Sequence, residues 1–329
     1  MIRVKRALRC VPILFIAACA SVACAQDYPT QPITAIVGFA AGGTTDAANR
    51  IASDEAKKVL GVEIATVNKP GANTTIAISS VISAKPDGYT IGTSADTGFL
   101  RAPHMMKLTF DPIADTTPIV YYATSKNFII VSTDSPFKTF EDVIAYAKAN
   151  PGKLTYGNTG IGSSLYLGFA GLAAEKGLTF GNVVFPGDGQ ALLAVLGGHV
   201  MVGGISAGPA VPQIKAGKIR VLAITDGTQR LADYPNVPTL SEFTKPENVM
   251  PSLGLFVFGP KGLPPNVVRK LEDAYIKAAH SEAFAKWAAE NQVYPMAKPL
   301  VGAELKEYLL SENKKMGALI DRLGLRGKF

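Results

Sequence analysis

Two short stretches rich in glycine and hydroxyl side chains hold most of the chemistry this chain offers. The first, residues 33–50, reads ITAIVGFAAGGTTDAANR. A β-branched run ends at Val37, Gly42-Gly43 breaks it, and Thr44, Thr45 and Asp46 are residues that start helices. A strand turning through glycines into a helix start leaves backbone N–H groups without intrahelical partners. With the positive end of the helix dipole, those groups make a seat for an anion. The loop carries no Lys or Arg, so amides and hydroxyls would have to hold it. The plainer alternative is an ordinary strand-to-helix turn whose glycines only make room. About 120 residues on, GNTGIGSS at 157–164 repeats the device, and Gly187-Asp188-Gly189 opens a third helix. Asp46 reads as a helix cap, while Ser163, Ser164 and Asp188 fit either a cap or a ligand contact.

Enzyme chemistry finds little support. Ser163, His199 and an aspartate would be the obvious hydrolase triad, but no G-x-S-x-G elbow surrounds Ser163. His104 and His280 lie in unrelated segments and suggest neither a metal site nor a general base. The glycines at 157–162 lack the Lys-Ser/Thr that follows a phosphate loop, and residues 184–187 lack the acid of a dinucleotide site. The expectation is a non-enzyme with no cofactor and no metal; a secreted hydrolase is the remote alternative.

The N-terminus has the marks of an export signal. Arg3, Lys5, Arg6 and Arg9 precede an apolar stretch at 11–22 and an A-x-A site ending at Ala25. Residues 1–25 are therefore expected to be a cleavable signal peptide and the mature chain a soluble periplasmic protein. Cys19, in IAAC, could instead be a lipid anchor, although the A-x-A site is the cleaner signal. Cleavage removes four of the 33 basic residues, leaving 29 against 26 acidic ones, a net charge of +3. Nucleic-acid binding gains no support from that balance. Cys10, Cys19 and Cys24 all leave with the leader, so no disulfide, thiol nucleophile or thiolate metal site is expected.

Alternating strands and helices supply the scaffold. Strand, helix, strand, helix and strand fill the first hundred residues, which argues a doubly wound parallel sheet. Ligands of such sheets lie outside the carboxyl ends of the strands, so residues 38–46, 72–75 and 94–97 should face one crevice. Runs at 118–124 and 127–133 then lead into a second strand-helix series. Two similar lobes with a ligand between them is the economical reading.

Together these pieces resemble the Bug-type solute-binding proteins, the periplasmic component of tripartite tricarboxylate transporters. The matching text includes VGFAAGGTTD at 37–46, NKPGA at 68–72, PDGYT at 86–90 and TFDP at 109–112. It continues with GNTGIGSS at 157–164, FPGDGQALLAVLGGHV at 185–200, VLAIT at 221–225, YPNVPTLSE at 234–242 and FVFGPKGLP at 256–264. The resemblance implies an α/β, two-lobed periplasmic binding protein fold (type II-like). Each lobe would be a mostly parallel sheet flanked by helices, with the ligand cleft between them. Lobe 1 is expected over 26–130 plus 250–329, and lobe 2 over 131–249. It also implies a monomer that closes over a small carboxylate and delivers it to the transporter's membrane subunits. Presentation of the solute to a sensor kinase is the alternative. Carried onto this chain, the first turn brings Phe39, Ala41, Gly42, Gly43, Thr44 and Thr45 to the ligand. The second lobe brings Thr159, Gly160, Ser163 and Ser164, with Asp188 and Gly189 bordering the cleft. The crevice rule adds Asn73, Thr75, Ser94 and Asp96.

The departures bear on ligand identity. Where the family usually continues NKPGA with glycines, this chain has Asn73-Thr74-Thr75, and Tyr166 stands where a histidine is common. Asp96 and Asp188 near a carboxylate would repel it unless they are otherwise engaged. A solute with an amine or N–H donor on its far side would relieve that repulsion. A hydrogen bond with a charged partner contributes about 1.5–3 kcal/mol, so three or four give on the order of 5–12. Micromolar binding needs about 8 kcal/mol, which is within reach only when the cleft is closed and dry.

Overall fold

The computed structural model describes residues 28–329. The signal-peptide, Cys19-anchor and cysteine readings lie outside the described residues. Among those described, no helix is long and apolar enough to cross a membrane.

Two sheets carry the molecule. In the first, β1 (Ile33–Val37) lies between β2 (Ile64–Asn68) and β3 (Thr90–Ala95), all parallel. The expected helices, α1 (Thr44–Leu60) and α2 (Thr75–Ile82), make the connections. Two further single-turn helices follow, α3 (Thr97–Leu100) and α4 (Ala102–Met105), ahead of β4 (Thr116–Ser125). Lys126 then passes the chain directly into β5 (Asn127–Ser132), which belongs wholly to the second sheet.

That second sheet is built from β5, α5 (Phe140–Ala149), β6 (Thr155–Asn158), α6 (Ser164–Lys176), β7 (Gly181–Val184), α7 (Asp188–Leu196), β8 (Val202–Ser206), α8 (Ala207–Lys215) and β9 (Ile219–Ile224). Its strand order is β7-β6-β8-β5-β9. The chain returns to the first sheet through β10 (Leu253–Pro260). It finishes with α9 (Pro265–Ala279), α10 (Glu282–Glu290), β11 (Val293–Val301) and α11 (Gly302–Arg322). The first sheet then reads β11-β4-β10-β3-β1-β2.

Both sheets are mixed. Parallel pairing is confined to β1–β3 and to β6–β8, and the other pairings are antiparallel. The expectation of mostly parallel sheets is corrected by the connecting strands. β4 leaves the first sheet and β10 re-enters it, so the two run in opposite senses; β5 and β9 do the same in the second sheet.

Packing follows the side-chain periods. On α9, Val267, Leu271, Ala274, Tyr275 and Ala278 fall on one buried stripe. They meet Ala48, Ala52 and Ala56, a four-residue repeat of small side chains on α1, within one apolar cluster. Small residues let the helices approach closely. Among the described residues, the one hydrogen bond between the two helices is Ser53 Oγ with the Tyr275 hydroxyl at 3.1 Å. The effect is to fix α1 along its length, so that its first turn is held at the edge of the sheet facing the starts of α7 and α8.

Candidate functional site

β1 delivers the chain to Val37, and residues 38–43 turn it into α1. Gly42 has φ +89°, a left-handed backbone that favours glycine. Gly43 caps α1 without a side-chain hydrogen bond, so the first-turn amides keep their donors free of intrahelical acceptors. Asp46 folds back to accept from Gly42 N at 3.1 Å, Arg50 Nε at 3.1 Å and Asn68 Nδ2 at 2.8 Å. Burial works to raise its pKa, but the Arg50 and Asn68 bonds outweigh that and hold it below its ordinary value. Asp46 therefore stiffens the turn, as its helix-start position suggests.

The second corner is organised by Asn158 at the end of β6. Its Oδ1 accepts from Gly160 N at 2.8 Å and from Ser163 Oγ at 3.3 Å. Gly160 takes φ +136°, and Ser163 Oγ accepts from Tyr166 N at 3.2 Å to cap α6. The Ser163 hydroxyl is thus committed to the turn. The third corner, Gly187, caps α7 without a side-chain bond. Asp188, the first residue of α7, accepts a very short hydrogen bond from the Ser206 hydroxyl. Desolvation pushes the Asp188 pKa up, and the Ser206 bonds oppose that shift.

The three corners meet. A cavity of about 30 Å³ between the sheets is lined by Phe39, Gly43, Thr45, Thr97, Asn127, Thr159, Ser163, Ser164, Asp188 and Leu253. A water needs roughly 10–15 Å³ measured this way, so the space accepts about two or three waters and the cleft is nearly shut. Beyond Phe39 and Thr159 lies a second cavity of about 260 Å³, also lined by Asn73, Thr74, Gly160, Met106, Ile161 and Phe185. Phe39, Gly43, Thr45, Asn73, Thr159, Gly160, Ser163, Ser164 and Asp188 are therefore gathered at one cleft.

The other seven expected residues line neither cavity. Ala41 and Gly42 are exposed at the tip of the turn. Thr44 instead spans the sheets, its Oγ1 accepting from Gly208 N at 3.1 Å. The Thr75 hydroxyl donates back to Ala72 O at 2.6 Å, as a local turn bond. Ser94 is buried beneath Gly38, where a Cβ would stand 3.3 Å from its Oγ. Asp96 is fully buried and turned to the strands, accepting from Gly254 N at 3.1 Å. Gly189 sits one step past the cavity edge, on α7.

Further bonds cross the cleft. Ala40 N donates to Pro186 O at 3.4 Å and Gly162 N to Asn73 Oδ1 at 3.3 Å. Asn73 reaches that position from an unusual backbone, because Ala72, Asn73 and Thr74 all have positive φ, at 44°, 52° and 70°. Such angles are ones glycine adopts freely, so the departure from glycine at 73–74 places side chains where backbone sterics resist them.

Arg101 was not anticipated. It is fully buried between α3 and α4, and its Nη1 donates across the cleft to Gly162 O at 2.7 Å and to Ser164 Oγ at 3.4 Å. No carboxylate lies within 4.0 Å of its guanidinium among the described residues. Its Nε and Nη2 lack a hydrogen-bond partner there. Every other buried side-chain atom in that condition belongs to Asn73, Thr74, Thr93, Ser94, Asp96 or Thr97. The only sequence signal was a lone cation in the apolar run GFLRAP. Thr97, Asn127 and Leu253 also line the cavity without having been singled out.

Residues 48–325 match the profile of a family described as the tripartite tricarboxylate transporter family receptor. Among curated proteins, a UPF0065 protein of Cupriavidus necator is 36% identical over 313 residues, covering 95% of this chain and 93% of its own. Among solved structures, the periplasmic binding protein BugD superposes with a TM-score of 0.85 at 26% identity, covering 91% of this chain and 100% of its own. A Rhodopseudomonas palustris protein solved with adipate gives 0.84 at 24% identity, covering 92% and 100%.

Proposed function

Because the chain belongs to the tripartite tricarboxylate transporter receptor family, whose members are periplasmic solute-binding proteins, we propose that it captures a small organic carboxylate between its lobes by hinge closure and hands it to the transporter's membrane subunits. The observation that carries this reading is the cavity where Gly43 and Thr45 of one lobe face Ser164 and Asp188 of the other. The carboxylate is held by the uncapped amides at the start of α1 and by the Thr45 and Ser164 hydroxyls, and the remainder of the solute extends past Phe39. Lobe 1 takes the residues up to 126 and those from 250, and lobe 2 is 127–249; the expected boundary at 130/131 moves to the start of β5, because that strand pairs only with β8 and β9. The lobes turn about the two crossings, at Lys126 and between β9 and β10.

Adipate bound to the Rhodopseudomonas neighbour makes it a reasonable first probe. Native mass spectrometry of protein purified from periplasm should find a co-purified organic acid. Titration calorimetry against adipate, glutarate and glutamate should find micromolar binding by at least one, with a smaller radius of gyration in solution scattering on saturation. Absence of binding at millimolar concentration across that panel defeats the reading; binding with no compaction defeats the closure. Retention of a transporter subunit from solubilised membranes, and of no sensor kinase, supports the delivery step.

A further inference from the structure

We infer that Arg101 supplies the positive charge that makes this cleft select an ionised carboxylate over a neutral molecule of the same shape, acting through the Ser164 hydroxyl. This rests on the carboxylate-binding reading above and adds the residue that sets its charge preference.

Arg101 is the largest fully buried side chain among the described residues. A guanidinium stays ionised in a protein, and a buried charge is expensive unless something compensates it. Here the compensation is incomplete. Nη1 has Gly162 O and Ser164 Oγ, whereas Nε and Nη2 have nothing. The Asp96 carboxylate feels its charge but is turned the other way, toward Gly254 N, with no ion pair between the two. A purely structural arginine would be expected to have found a carboxylate.

The guanidinium sits one side chain behind the cavity wall. Ser164 lines the cavity and accepts from Nη1, so its own O–H is left to be donated forward to a ligand oxygen. Thr97, one helical turn before Arg101, also lines the cavity, and its Oγ1 is buried without a partner. A positive charge at this depth, with little water to screen it, acts on an anion in the cavity and hardly on a neutral amide. Because the Gly162 bond crosses the cleft, the charge reaches Ser164 only when the lobes are together. Arg101 is a positioning and charge-supplying residue in this scheme; the ligand oxygen itself is met by Ser164.

The test compares adipate, glutarate and glutamate with adipamide, glutaramide and isoglutamine by calorimetry, on wild type, Arg101→Gln and Arg101→Lys. The wild type should prefer the acid of any pair it binds by about 100-fold. Arg101→Gln should lower that ratio by ten-fold or more, the amide losing only the smaller share that the missing Gly162 bond takes from both ligands, and Arg101→Lys should restore most of the ratio. An unchanged ratio in Arg101→Gln, or an equal loss for acid and amide, overturns the inference while leaving the function intact. If none of the acids binds the wild type, the functional reading fails and this inference falls with it. Should Arg101→Gln not fold, the wild-type arginine Nε–H resonance decides. It should shift on saturation with a bound acid and not with its amide, and no shift overturns the proposal.

Discussion

The backbone N–H and the side-chain Nδ2 of Asn127 both donate to Asp226 Oδ2, at 2.7 and 3.0 Å. Asn127 opens β5 immediately after the first crossing between the sheets, and Asp226 follows β9 just before the second. One carboxylate therefore ties the two connecting strands together, and the same Asn127 lines the cavity. Thr225 Oγ1 adds a bond to Asp226 Oδ1 at 2.8 Å. In the hinge proposed above, two segments tied in this way would move as a pair about one axis.

Asp226→Ala leaves both Asn127 donors without an acceptor inside the protein, while the Thr225 hydroxyl keeps Asn127 O at 3.3 Å. The expected loss of unfolding free energy is on the order of 3 kcal/mol. Asp226→Asn keeps one oxygen for Asn127 N and should lose about 1 kcal/mol or less. Urea titrations of both variants check this, and equal losses would show that the acceptor at Oδ2 is not what matters.

Ala72 is an exposed residue at φ +44°, followed by two more positive-φ residues. The left-handed region costs a non-glycine residue roughly 1–2 kcal/mol, and glycine gives back part of that as unfolded-state entropy. Ala72→Gly is expected to raise stability by about 0.5–1 kcal/mol. A lower midpoint in thermal unfolding would mean the turn is not strained there.

Much of the scaffold was readable from local pattern, and what escaped did so for identifiable reasons. The strand-turn-helix corners at 33–60 and 155–176 follow from β-branched runs, glycines and helix-start residues adjacent in sequence. α8 carries Pro209 and Pro212, which argue against a helix on propensity alone. It survives because it packs on β8 and β9, and because the chain continues past Pro212 with Ala216 N bonded to the Pro212 carbonyl. β11 holds Pro295 and Pro299 and is tolerated because it is an edge strand. Within the site, the glycine-hydroxyl turns were visible, whereas Arg101 meets Gly162 across 61 residues of sequence. No local period encodes such a contact. Asp96 looked like a cleft residue by its place at the end of β3, but the return of β10 beside that strand covers it.

Burial raises the Asp96 pKa from 3.8 to about 6, with the charge of Arg101 opposing the rise. The folded protein thus holds this proton more tightly than the unfolded chain. The stability it contributes is complete below about pH 4 and is lost as pH rises through about 6. A difference of that size in proton affinity between folded and unfolded chain is worth about 3 kcal/mol. Asp188 and Asp226 are raised as well and act in the same direction, while Asp46 is lowered and acts in the opposite one. Asp96→Asn retains an oxygen for Gly254 N and does not titrate. Its unfolding free energy between pH 4 and 7 should fall by about 3 kcal/mol less than that of the wild type. Parallel curves would remove Asp96 as the titrating group.

The proposed closure would rest on the close approach between α1 and α8 seen here. A Cβ at Gly208 would stand 2.5 Å from Thr44 Oγ1, in the position where Gly208 N now donates to that hydroxyl. Gly208→Ala should therefore keep the lobes apart, while each lobe folds as before. The expected outcome is at least ten-fold weaker adipate binding and a scattering radius that no longer shrinks with ligand. Stability without ligand should stay within about 0.5 kcal/mol of wild type. Normal compaction in this variant would show that the Thr44 contact is not part of the closed state.

In the proposed binding mode, Asp188 sets what else the solute carries. Its carboxylate lies on the cavity wall, with the Ser206 hydroxyl as its only hydrogen-bond donor among the described side chains. Desolvation favours its neutral form, and a plain dicarboxylate beside it favours that form further, because two carboxylates side by side repel. A solute with an ammonium group on that side would instead pair with the ionised form. Glutarate affinity should then fall as pH rises through the raised Asp188 pKa, while glutamate affinity should hold. Asp188→Asn, which resembles the protonated acid and cannot ionise, should flatten the glutarate profile and cut the preference for glutamate over glutarate by about ten-fold. Calorimetric titrations of both acids between pH 5 and 8 make the comparison. An Asp188→Asn protein with wild-type affinities and the wild-type preference would show that Asp188 only caps α7.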